Sequence, residues 1–85
     1  MITYQYEMLK SAKESREKEI MDYQVNIDNF KLAIELIGDD VELAEFKNHL
    51  KELLSSSQLE QRKAKIMYEV VSKQLNDVDE NSLTK

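Results

Sequence analysis

The chain has 85 residues, of which 17 are acidic and 12 basic, for a formal net charge of −5. That length supports one small domain at most, burying about 60% of the surface its unfolded form exposes, so a single core is marginal. The lack of cysteine excludes disulfides and thiolate metal sites, and the acidic balance makes direct nucleic-acid binding an unfavourable reading, because phosphate neutralisation needs a basic face.

Apolar residues recur from the N-terminus at alternating spacings of four and three. Ile2, Tyr6, Leu9, Ile20, Tyr23, Ile27, Phe30, Ile34 and Ile37 make the series, with Lys13 and Arg16 in its two interrupted positions. Such alternation keeps one stripe of a helix facing a partner helix and predicts a first helix over about 2–37. Gly38, the only glycine, follows the last stripe residue, where a left-handed conformation can end a helix. Asp39, with Glu42 three positions on, suggests a capping box that opens the next helix and sets the turn at 38–40.

The second helix, over about 41–76, is read with the stripe Leu43, Phe46, Leu50, Leu53, Ser57, Glu60, Ala64, Met67, Val71, Gln74 and Val78. The two stripes pair in one register across the turn, from Ile37 opposite Leu43, through Phe30 opposite Leu50, to Leu9 opposite Val71 and Ile2 opposite Val78. The expected fold class is therefore all-α, an antiparallel two-helix hairpin of coiled-coil type. Leu54-Ser55-Ser56-Ser57-Gln58 has weak helix propensity, and Ser57 with Glu60 makes another capping box, so a break there would give three helices. The unbroken stripe phase favours one continuous helix. Residues 77–85 are polar and read as a disordered tail.

Several large apolar residues fall outside the stripes. Met21, Val25, Leu32, Leu36, Leu54, Leu59, Ile66 and Val70 form an expected self-association face, most simply pairing two hairpins into a homodimeric four-helix bundle. Arg16 and Glu60 occupy adjacent layers mid-seam, where an ion pair would fix register; alternatively, the seam opens to solvent there. Tyr4 and Tyr68 read as off the seam and free for a partner.

Chemistry-bearing patterns are sparse. His49, the only histidine, has Glu45 and Glu52 one turn either side, but a carboxylate-bridged metal pair in a bundle wants Glu-x-x-His on two helices, so a solvated surface role is expected. No nucleophile set or phosphate loop is present, and the chain reads as a non-enzyme without metal or cofactor. Glu35, Asp39, Asp40, Glu42 and Glu45 cluster near the turn, either as complements to a helix dipole or as a docking tip for a basic partner.

The expected function is a structural or adaptor role through self-association and binding of an unidentified protein. The alternatives are an acidic inhibitor of a nucleic-acid-binding surface and a small-ligand-sequestering oligomer. No apolar run approaches the ~20 residues needed to span a bilayer, and Met1 to Lys10 lacks a secretory layout, so the cytoplasm is the expected location. In size and organisation the chain resembles small bacteriophage accessory or virion proteins, which are often short, cysteine-free and helical; that resemblance implies host cytoplasm or virion.

Overall fold

A computed structural model describes residues 2–83. Helix α1 spans Ile2–Ile37, a single 3-10 turn spans Val41–Leu43, and helix α2 spans Ala44–Leu83. The two helices fold back on one another as an antiparallel hairpin, measuring 66 × 15 × 14 Å with a radius of gyration of 19.1 Å. A compact domain of this length would have a radius near 12 Å. The molecule is a rod, and its core is a seam one residue deep.

The turn is built from three local devices. Gly38 takes φ +57, the left-handed region that side chains disfavour, and its amide donates to the Ile34 carbonyl at 3.3 Å. The Asp40 amide donates to the Ile37 carbonyl at 3.2 Å, closing α1. The cap of the next element is Asp40 rather than the expected Asp39: its extended backbone lets the Asp40 carboxylate accept from the Glu42 amide at 3.0 Å. Lys47 reaches back from α2 and donates to the Gly38 carbonyl at 2.6 Å, tying the turn to the second arm.

α2 is continuous through Ser55, Ser56 and Ser57, so the three-helix alternative is not adopted. The helix also runs past Asn76 to Leu83, where a disordered tail is expected from sequence. The reason lies in packing: Leu75 and Val78 are both buried, so the seam holds the polar segment helical beyond the point where composition alone would release it. Thr84 and Lys85 of that tail lie outside the described residues, as does Met1.

On α1 the sequence stripe is the seam. Tyr6, Leu9, Lys13, Arg16, Ile20, Tyr23, Phe30, Ile34 and Ile37 are half-buried, and Ile27 is 3% exposed. On α2 the stripe is half right. Leu50, Ala64, Val71 and Val78 are buried and Ser57 half-buried, as expected, but their companions lie one residue further along the chain. Leu54, Gln61, Tyr68 and Leu75 turn inward, whereas Phe46, Leu53, Met67 and Gln74 are exposed. Both companion sets recur every seven residues and carry similar apolar content, so periodicity does not separate them. Desolvation does. The expected set would put the Glu60 carboxylate in the seam, whereas the adopted set puts there the neutral amide of Gln61, which is far cheaper to remove from water.

Ile27→Ala should lower unfolding stability by about 2–5 kcal/mol in urea titration, because Ile27 is the most deeply buried apolar side chain among the described residues. Leu32→Ala, on the exposed back of α1, should move the unfolding midpoint little. Gly38→Ala should cost about 1 kcal/mol through backbone strain alone, since the nearest atom to an added Cβ is the Glu35 carbonyl oxygen at 3.9 Å.

Candidate interaction surface

A hairpin with a one-residue-deep seam has two flanks, and here they differ in chemistry. One flank carries the seven-residue rows Lys10, Glu17, Gln24, Lys31 on α1 and Lys51, Gln58, Lys65, Ser72 on α2, with no apolar member. Polar contacts bridge the helices along it. The Gln61 side-chain amide, on a residue 7% exposed, donates to the Ile20 carbonyl at 3.1 Å and to Gln24 Oε1 at 2.9 Å. The Tyr68 hydroxyl donates to Glu17 Oε1 at 3.2 Å, and the Lys13 ammonium lies 5.6 Å from the Tyr68 ring centroid, within cation–π range. Tyr68 is thus a half-buried seam residue, not the free aromatic that sequence suggests.

The opposite flank carries Ala12, Glu19, Asn26 and Ala33 on α1, against Phe46, Leu53, Glu60 and Met67 on α2. A shallow cleft of about 130 Å³ midway along it is lined by Arg16, Glu19, Tyr23, Glu60, Lys63, Ala64 and Met67. Arg16 pairs with Glu19 at 2.7 Å and Lys63 with Glu60 at 3.1 Å, each within its own helix. The cross-seam Arg16–Glu60 pair weighed from sequence is therefore replaced by two intrahelical pairs beside the same cleft. The cause is the shifted α2 stripe, which moves Glu60 from the seam to its margin. Away from this charged middle the flank is apolar: Phe46 is 52% exposed and Met67 43%, with Leu53 also open to solvent.

The residues expected to form one self-association face do not share one. Met21, Val25, Leu32 and Leu36 are exposed on the back of α1; Val25 lies two residues from Ile27, about 200° around the helix. Leu59 and Ile66 hold the corresponding place on α2, two residues from the buried Gln61 and Ala64. The backs of two paired helices point away from one another, so a flat partner covers one or the other. Val70 adjoins the Met67 row, and Leu54 is in the seam. Phe46, Leu53 and Met67 are missed as surface residues because the sequence reading spends them on the core.

At the turn, Glu35, Asp39, Asp40, Glu42 and Glu45 are all exposed. Asp40 is occupied as the cap, and the groove beside it is lined by Lys47 and Lys51 as well as Asp39, so the tip is mixed in sign. His49, Glu45 and Glu52 are exposed, and among the described residues no group of three or more His, Asp or Glu side chains could hold a metal ion. Tyr4 is exposed near the open end. No helix among the described residues is long and apolar enough to cross a membrane. Comparison with protein-family models, curated proteins and solved structures finds no match to this chain.

Gln61 is the polar residue on which the seam closes. Gln61→Leu should raise the urea midpoint or leave it unchanged, since an apolar residue suits the site, while loosening the choice of register. Gln61→Ala, which removes packing and both hydrogen bonds, should lower stability by about 1–3 kcal/mol on the same measurement.

Proposed function

We propose that the chain is a non-enzymatic interaction protein that acts by self-association and by presenting the outside of the resulting assembly to a protein partner. The observation that carries this reading is the apolar flank: Phe46, Leu53 and Met67 stand exposed in a row beside the seam, over the small residues Ala12 and Ala33. A row at this position is the one that a further helix pair contacts in a bundle. At about 25 cal/mol per Å², covering such side chains contributes several kcal/mol, a large share for a molecule whose own core is a single seam.

Other features support the same reading. The clefts beside Arg16, Leu59 and Lys47 are open to solvent, whereas chemistry that depends on excluding water needs an enclosed site. A role as acidic inhibitor draws less support, because Lys47 and Lys51 lie among the tip carboxylates and blunt their field. A ligand-sequestering role would require the clefts to be closed by assembly.

Light scattering across protein concentration tests the proposal. The expected outcome is a mass twice the 10.0 kDa of the chain, falling toward the monomer on dilution and changing little with added salt, as burial of apolar area requires. A monomeric mass at every concentration would overturn it.

A further inference from the structure

We infer that the second copy covers the apolar flank with both turns at the same end, so that α1 of each copy faces α2 of the other. This deepens the self-association reading and rests on it. It assigns the contact to Phe46, Leu53 and Met67 rather than to the outward backs of the helices.

Three observations bear on this arrangement. The first is size. The register fixed by the Gln61–Ile20 and Lys13–Tyr68 contacts brings Ala33 within about 3 Å of the height of Phe46, and likewise Asn26 with Leu53 and Ala12 with Met67. The flank therefore has a large row on α2 and a small row on α1, side by side at near-equal heights. A two-fold axis along the rod lays each large row over the other copy's small row. An axis across the rod would set large on large and small on small, leaving one edge crowded and the other empty.

The second observation is charge. Arg16, Glu19, Glu60 and Lys63 occupy the middle of the flank, two of each sign, with one cation and one anion on each helix. With α1 over α2, Glu19 lies about level with Glu60 of the other copy and Arg16 with its Lys63, each with an opposite charge one turn away. The four groups keep their intrahelical pairs and the middle of the flank is net neutral, so it leaves no uncompensated charge under a second copy, and the orientation rests on the sizes of the rows.

Area is the third. A face of 66 by 15 Å offers about 1,000 Å² per copy, above the roughly 800 Å² per partner of a standard specific interface. The other flank offers no comparable apolar row, and its Gln24, Gln61, Glu17 and Tyr68 groups are already engaged with one another.

The chain has no cysteine, so Asp39→Cys supplies one nitroxide site at the exposed turn of each copy without touching the flank. Pulsed electron-spin distance measurement on the labelled full chain should give a separation below about 30 Å, since packed helices lie roughly 10 Å apart and the label arms add to that. Phe46→Glu and Met67→Glu should each raise the dimer dissociation constant at least about tenfold, and Leu32→Glu should leave it unchanged. Far-UV circular dichroism checks that each variant stays helical. A label separation comparable with the 66 Å length would overturn the orientation. A dimer broken by Leu32→Glu and indifferent to both flank variants would overturn the face. Either result leaves self-association standing, whereas an unsubstituted chain that is monomeric throughout removes that reading and this inference together.

Discussion

Everything in this hairpin depends on which residues of α2 face α1, and that choice is a matter of one residue. Leu50, Ser57, Ala64, Val71 and Val78 belong to the seam under either phase. Their companions could be the residues three or four positions further on. The hairpin adopts the second set, and the chemistry of the outer surface follows at once. Phe46, Leu53 and Met67 are released to one flank, while Gln61 and Tyr68 are drawn in and tied to Ile20, Gln24 and Glu17 across the other. A single helical step thus converts a uniform rod into one with a polar side and an apolar side.

The energetic logic is that of a marginal core. Among the described residues the buried apolar ones are Ile27, Leu50, Ala64, Val71, Leu75 and Val78, a thin core, and two of them come late in α2. With so little burial to offset chain entropy, the cost of placing a carboxylate in the seam decides between otherwise similar phases. Glu60 stays at the margin, where water and Lys63 solvate it. Gln61 takes the interior position, where an amide can be satisfied by a backbone carbonyl and a neighbouring amide oxygen. The same scarcity of core makes an exposed apolar row beside the seam a stronger sign of association than it would be on a large globular domain.

Much of the fold is legible in the sequence, and the reasons are physical. The stripe on α1 is dense enough in Ile, Phe and Tyr that its phase has no competitor. Gly38 marks the end of α1 because no other residue type there would take a left-handed conformation cheaply. The phase of α2 is harder, since Phe46, Leu53, Met67 and Leu54, Tyr68, Leu75 are apolar sets of equal size on adjacent rows. Periodicity alone cannot choose between them; the rows differ most at mid-seam, where one would place the Glu60 carboxylate and the other places the neutral Gln61. The misplaced phase propagates to the surface, which is why Leu54 is read as outward and Phe46 as inward. The gathering of Val25, Leu32, Leu59 and Ile66 into one face has a different cause: each helix carries an outer apolar row of its own, and the backs of two paired helices point apart. The capping residue is off by one for a smaller reason: Asp39 and Asp40 are both chemically able to cap, and the hydrogen bond from Asp40 to the Ile37 carbonyl fixes which one does.

The phase of α2 is the claim on which the flanks, the released apolar row and the proposed association all rest. Nuclear Overhauser contacts across the seam measure it directly. The account predicts contacts from the Lys13 side chain to the Tyr68 ring, and from Ile20 to the Gln61 side chain, with the Met67 methyl remote from Lys13. Contacts from Lys13 to Met67 and from Ile20 to Glu60, with Tyr68 and Gln61 lacking them, would place the other row in the seam and contradict it.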